Sequence, residues 1–348
     1  PSSPQRKALI GESVRALESA TRNPALKLGT LVDSRCLMNA LVGLMASGGS
    51  TNHTIHWVSV ARAAGYLIDW TDLETISSVT PLLTRVYPNG TEDVNAFQAA
   101  GGTAGLLATL IDGGFVDGEA PTVWGTTMAN TVAEVLPTAE PFSTRKPGAS
   151  RNLDVLRPYT NPFQPDGGIR LMKGNLGRGV CKVSAVKQEH RFVEAPCRVF
   201  TDQHQVIDAF NNGELTEAVV VVLAHQGPRA NGMPELHKLT PILGILQDQG
   251  LPVALVTDGR MSGASGKVLS AIHVCPEAKA DGPISRLRDG DVVRVDANEG
   301  VLHTTADLSL REPMPTPAQA VSHGRGYFQV WRNTVSSAEE GASNLFPQ

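Results

Sequence analysis

The sequence predicts an α/β protein in two parts, a mostly helical first part and a second part of strands with helical crossovers. Three observations carry this. From 137 to 168 the texture changes to Pro, Asn, Ser and scattered charge, with Lys146-Pro147-Gly148, Asn161-Pro162-Phe163 and Pro165-Asp166-Gly167-Gly168 as turn signals. Before it, apolar residues recur at helical spacing. After it come β-prone runs such as Val219-Val220-Val221-Val222-Leu223 and Leu251-Pro252-Val253-Ala254-Leu255. The boundary is placed near Phe163, giving parts 1–163 and 164–348.

In the first part, Ser3 before Pro4 predicts an N-cap and a helix to about Ala20. The run 31–46 predicts a second helix, apolar nearly all round and stopped by Gly48-Gly49. Ser47-Gly48-Gly49-Ser50-Thr51-Asn52 is then a turn into a helix reaching Gly65, with Ser50 or Thr51 as cap. Exposed N–H groups at such a terminus attract carboxylate or phosphate. His53 and His56 lie on that helix, three apart. Thr71-Asp72-Leu73-Glu74 matches a capping box. Further helices are expected around 94–100 and 103–111, joined at Gly101-Gly102.

The second part reads as strands at 169–173, 180–186, 197–200, 218–223, 252–257 and 271–275, helices at 203–210 and 235–247, and a hairpin of 291–296 with 300–304. Polar 336–348 reads as a loose tail. If 218–223 and 252–257 are parallel neighbours joined by the helix from Glu235, the loops after them converge on one edge of the sheet. Those loops are His225-Gln226-Gly227-Pro228-Arg229-Ala230-Asn231-Gly232-Met233-Pro234-Glu235 and Thr257-Asp258-Gly259-Arg260-Met261-Ser262-Gly263-Ala264-Ser265-Gly266-Lys267.

Glu235 reads either as an acid favouring a helix start or as a hard-metal ligand that substrate oxygens complete. Ser262 reads either as a turn hydroxyl or as a catalyst whose pKa a nearby cation would lower. A P-loop is excluded, because Met261 stands where its first glycine is needed and Val268 follows the lysine. A hydrolase elbow is excluded for lack of glycines flanking Ser262. Backbone amides with Lys267 remain a candidate anion cradle.

Composition narrows the class. The chain has 348 residues, 41% hydrophobic and 18% charged, which fits a globular protein. A net charge of −4 gives no general reason to expect nucleic acid. No apolar run is long enough to span a membrane, and the first residues hold no signal-peptide core, so a cytoplasmic address is expected. The four cysteines, Cys36, Cys181, Cys197 and Cys275, form no C-x-x-C pair and read as reduced core thiols.

At three places the chain resembles the iron–sulfur dehydratases that include dihydroxy-acid and sugar-acid dehydratases. These are Gly48-Gly49-Ser50-Thr51-Asn52, Gly232-Met233-Pro234-Glu235 and Asp258-Gly259-Arg260-x-Ser262-Gly263, with Lys173-Gly174-Asn175-Leu176 between them. The details Asn52-His53-Thr54-x-His56, the long loop from His225 to Lys238, and Ser262-Gly263-Ala264-Ser265-Gly266-Lys267-Val268 are of the phosphogluconate type.

The resemblance implies loss of water from 6-phospho-D-gluconate to give 2-dehydro-3-deoxy-6-phospho-D-gluconate, as in the Entner–Doudoroff route. It implies an iron–sulfur cluster, of [4Fe-4S] type, as Lewis acid on the C3 hydroxyl, and Mg²⁺ on the carboxylate and C2 hydroxyl. It implies Ser262 as the C2 base and Glu235 as a Mg²⁺ ligand. Ser50, Thr51, Asn52, His53, Lys238, Arg260, Ser265 and Lys267 are the expected substrate-binding residues, with His53, Lys238 or Lys267 at the phosphate.

For the fold, the resemblance implies the C-terminal remainder of a cluster-binding α/β domain followed by a swivelling β/α domain with a mixed, barrel-like sheet. It also implies a homodimer, and cluster cysteines in an N-terminal portion ahead of Pro1. The chain alone is therefore expected to be inactive and to hold no cluster ligand. Alternative readings are a dehydratase of an unphosphorylated sugar acid or dihydroxy acid, and a non-catalytic sugar-phosphate-binding module.

Overall fold

The computed structural model describes residues 4–87, 89–136, 143–261, 267–318 and 328–346. In chain order the helices are α1 (Pro4–Thr21), α2 (Leu28–Leu31), α3 (Ser34–Ala46), α4 (His53–Ala63), α5 (Trp70–Val79), α6 (Val94–Ala100), α7 (Gly102–Asp112), α8 (Met128–Thr131), α9 (Gln203–Asn211), α10 (Leu239–Asp248) and α11 (Gln329–Thr334). The strands are β1 (Glu134–Val135), β2 (Thr144–Arg145), β3 (Ile169–Gly174), β4 (Gly177–Lys182), β5 (Phe192–Phe200), β6 (Val219–Leu223), β7 (Val253–Thr257), β8 (Leu269–Cys275), β9 (Val292–Asp296) and β10 (Val301–Thr304). No single described helix is long and apolar enough to cross a membrane.

The chain divides into two compact units. The first comprises Pro1–Gly48, Ala64–Tyr66 and Val79–Gly167, the second Gly49–Ala63, Leu67–Ser78 and Gly168–Gln348. The first unit is helical apart from the short β1–β2 pair. The helix expected over 31–46 is broken at Asp33, whose carboxylate caps α3 by accepting the Cys36 N–H at 3.0 Å. Leu37, Leu41, Leu44 and Met45 of α3 are buried, as are Leu106 and Leu110 of α7. The α6–α7 junction needs its glycines, since Gly101 and Gly102 take φ of 148° and 60°.

In the second unit eight strands close a barrel in the order β10-β3-β4-β8-β7-β6-β5-β9. The run β5, β6, β7, β8 is parallel, β10 and β3 also pair parallel, and the remaining neighbours are antiparallel. Every residue of β6 and β7 is buried. Alternation explains how. Val220, Val222, Ala254 and Val256 face one core with Val293, Val295 and Leu302, whereas Val219, Val221, Leu223, Val253 and Leu255 pack with Leu239, Leu243 and Leu246 of α10 and Val206 of α9. Each fully buried valine or leucine contributes roughly 1.5–3 kcal/mol relative to exposure.

The α5 helix finishes one seam of the barrel. The Ser77 hydroxyl accepts the Ile169 N–H at 2.9 Å and the Glu74 carboxylate accepts the Leu171 N–H at 3.0 Å, so β3 donors without a strand partner are satisfied. The capping box expected at Thr71 lies two residues earlier: Asp69 accepts the Thr71 and Asp72 N–H groups, and Asp72 accepts the Asp69 N–H at 2.9 Å. Thr71 instead accepts from Arg178.

The segment expected as a loose tail is built into this unit. Ser336, Ala338 and Ser343 are buried, Ser336 and Ser343 exchange hydrogen bonds at 3.0 Å, and Glu339 pairs with Arg178 at 2.7 Å. Polar composition predicts exposure, but serine hydroxyls can close a turn on themselves.

Candidate active site

The parallel pairing Leu223↔Thr257 brings the two loops out on the same edge of the barrel. Asp258 joins them. Its carboxylate, fully buried, accepts N–H groups from His225 at 3.2 Å, Gln226 at 2.8 Å and Ala278 at 2.9 Å. Burial pushes its pKa up to about 7, while those three N–H groups favour the ionised form. Glu277 repeats the device by accepting the Arg229 and Ala230 N–H groups, and burial raises its pKa too. The loop runs so close that a Cβ on Gly227 would lie 2.2 Å from Glu277 Oε2, and one on Gly259 would lie 2.6 Å from the Gln226 Cβ.

Glu235 does not start a helix. It forms an isolated parallel bridge with Arg260, and α10 begins only at Leu239. The extended backbone wins because Leu236 donates to the Arg260 carbonyl at 3.3 Å and the Arg260 guanidinium donates to the Met233 carbonyl. The Arg260 Nη1 stands 3.7 Å from Glu235 Oε2, with both side chains half-buried.

The turn before α4 belongs to the same unit. Thr51 is fully buried and spends its hydroxyl on the Met261 carbonyl at 3.1 Å, not on a helix cap. Thr54 donates its hydroxyl to the Thr51 carbonyl at 2.8 Å, so toward His273 Nδ1, 3.3 Å away, it can only accept. That assigns the Nδ1–H tautomer and leaves Nε2 as a buried acceptor without a partner. Burial brings the His273 pKa down to about 3, so the ring is neutral. Its own N–H holds the Gly259 carbonyl at 2.9 Å, from a left-handed φ of 59° within β8. Lys182 is buried and donates to the Gly49 carbonyl at 3.0 Å, with its pKa lowered to about 8 by burial.

The expected site residues are therefore partly gathered and partly scattered. Thr51, Arg260 and Glu235 are tied to the two loops by the bonds above. Ser50 accepts the Asn52 N–H at 3.3 Å, and Asn52 is buried with an unpartnered Oδ1. His53 is exposed, with its ring 6.3 Å from that of His56, and burial before charge lowers its pKa. Lys238 is exposed at the head of α10. Lys267 is separated from the rest. The parallel register Ala254↔Leu269 sets it at the opposite edge of the sheet from Asp258, bonded to Asp248 at 2.6 Å. Ser262 and Ser265 lie outside the described residues.

The sequence assigns no individual role to Asp258 or Thr54, which stand only within motifs, and gives none to His273. The available signal was a lone polar residue within or just after an apolar strand, as at His273 in Ile272-His273-Val274.

For a cluster, the described residues do not fit. No group of three or more His, Cys, Asp or Glu converges among them. Burial pushes Cys181 up to about 11 and Cys197 and Cys275 up to about 12, against the thiolate form that ligation needs. For Mg²⁺ they fit in part. Glu235 offers one hard oxygen donor on an accessible edge, and no second carboxylate stands with it in such a group.

Residues 1–131 match the family model described as "Dihydroxy-acid/6-phosphogluconate dehydratase N-terminal", and residues 154–342 match its C-terminal counterpart. The chain is 50% identical to a phosphogluconate dehydratase of Pseudomonas aeruginosa and 45% identical to that of Zymomonas mobilis, over 99% of its own length and 58% of theirs. A dihydroxy-acid dehydratase of Sulfurisphaera tokodaii is 33% identical over 91% of this chain and 55% of that protein. The chain thus spans under two thirds of the curated relatives it matches. None of these matches bears out the expectation that it is inactive alone. Its fold is the mixed α/β arrangement expected, and the chain belongs to the dihydroxy-acid/6-phosphogluconate dehydratase family.

Proposed function

We propose that this chain carries the C2 side of a hydro-lyase site that dehydrates a phosphorylated sugar acid, 6-phospho-D-gluconate. The supporting observation is the assembly of Glu235, Arg260 and the Met261 carbonyl on one barrel edge, held by Asp258 and Thr51. Glu235 is the carboxylate to hold Mg²⁺, and the bound ion supplies Lewis acidity toward the substrate's carboxylate and C2 hydroxyl oxygens. Arg260 orients Glu235 and gives the substrate carboxylate a cationic neighbour.

Ser262 follows Met261 directly in the sequence, and the Thr51 hydroxyl holds the Met261 carbonyl. In this reading Ser262, as an alkoxide, takes the C2 proton, the C2–H pair forms the C2=C3 bond as the C3 hydroxyl leaves as hydroxide, and the resulting enol tautomerises to the 2-oxo acid. Identity supports the phosphorylated substrate over a dihydroxy acid: 50% and 45% against 33%.

Replacing Ser262 by Ala in the complete enzyme tests the reading. Exchange of the C2 hydrogen with D₂O is expected to stop while Mg²⁺ binding persists. Retained exchange would remove Ser262 from the base role.

A further inference from the structure

A cavity of about 480 Å³ opens at the barrel edge that carries Glu235. Arg260 and Met233 line it, with Ile55 and His56 of α4 and Trp331 and Arg332 of α11. A second cavity, of about 380 Å³, shares Asn231 and Arg332 with it and is otherwise mainly polar, with Thr201, His225 and Thr316. These volumes suit a small metabolite.

Arg332 stands where the two cavities meet. It makes no hydrogen bond or ion pair among the described residues, although it is half-buried. Other arginines of this unit are committed: Arg178 to Glu339 at 2.7 Å, Arg62 to Glu340 at 3.9 Å, and Arg260 to Met233 and Glu235. Holding a guanidinium with unspent donors against a concave surface costs desolvation, which an anion there would offset. The surroundings agree. His225 is buried beside the smaller cavity in a left-handed φ of 61°, with the Met314 backbone against its ring. Asp202, the carboxylate lining the smaller cavity, is engaged with His204 at 2.8 Å and caps α9.

The geometry points to Arg332 as the residue that binds the terminal phosphate of the substrate, while the substrate's carboxylate end lies toward Arg260 and Glu235. This rests on the proposed reaction and deepens it by naming what selects a phosphorylated sugar acid. A planar guanidinium can give two parallel N–H bonds to a phosphate monoester, and the Thr201 and Thr316 hydroxyls flank the place. It also replaces Lys267 in that role, since Lys267 is bound to Asp248 at the other edge of the sheet.

The test compares wild type, Arg332→Met and Arg332→Lys. Binding of 6-phosphogluconate, gluconate and inorganic phosphate to the full chain is measured by calorimetry, and kcat and KM by turnover in the complete enzyme. Arg332→Met is expected to weaken 6-phosphogluconate about 10- to 100-fold, leave gluconate unchanged and abolish competition by phosphate. Arg332→Lys is expected to restore part of the loss. Equal losses for both sugar acids, or no loss for either, would overturn the assignment. So would a wild type that binds the two alike. Phosphate-dependent binding that vanishes in Arg332→Met, without turnover of 6-phosphogluconate by wild type, would sink the proposed reaction and spare the site. Matching thermal unfolding of the three proteins controls for folding.

Discussion

Replacing Asp258 by Asn keeps the shape of the side chain and removes its charge. The wild-type carboxylate takes two N–H groups on Oδ2, from His225 and Ala278, and one on Oδ1, from Gln226. An asparagine amide can place its oxygen on the first pair, but its NH₂ then faces the Gln226 N–H. One buried donor is orphaned against another, which costs about 1–3 kcal/mol. Titration works against the wild type. Its pKa, raised from 3.8 to about 7 by burial, means that the folded state holds a proton that the unfolded state has lost. The stability Asp258 contributes is full below about pH 4 and decays as pH rises through about 7. Between pH 5 and pH 8 that decay amounts to about 3 kcal/mol. Glu277, also raised, slopes the same way in both proteins. Urea unfolding followed by circular dichroism at pH 5, 6, 7 and 8 should therefore show the variant less stable at pH 5, with the deficit closing toward pH 8. A difference that stays constant over that range would refute the reasoning.

Two further outcomes follow from the packing and the Thr51 contact. Thr51→Val, nearly isosteric, strands the buried Met261 carbonyl and should cost about 1–2 kcal/mol of stability. In the complete enzyme it should lower kcat more than it raises KM, and unaltered kinetics would show that the Thr51–Met261 bond does not serve the reaction. Leu243→Ala empties a fully buried position under α10 and should lower urea stability by about 2–5 kcal/mol, which denaturation checks directly.

Much of the second unit was legible because its strands are apolar runs bounded by turn residues. The two parallel strands and their convergent loops followed from Val219-Val220-Val221-Val222-Leu223 and Val253-Ala254-Leu255-Val256. What was not legible depended on pairing. Glu235 after Pro234 has the local signature of a helix start, yet the bridge to Arg260 in the neighbouring loop holds it extended. Lys267 is near Ser262 in sequence, but β8 pairs parallel with β7, so the residues just before β8 stand at the edge of the sheet where β7 begins. The burial of Thr51 and Ser336 was invisible for a simpler reason: small hydroxyl residues carry no period that tells a solvated turn from a bonded one.

The alternation in β6 and β7 has a consequence for folding. Both faces of these strands are apolar, so sliding one strand by a residue would exchange two sets of valines and leucines that hydrophobicity hardly distinguishes. Side-chain pattern, which fixes register in a half-exposed sheet, is nearly silent here. The polar ends of the strands must speak instead. A slip of one residue would carry the His225 and Gln226 N–H groups away from Asp258 and leave a buried carboxylate without its donors. The same contact that sets the candidate active-site loops beside each other thus acts as an alignment key for the barrel.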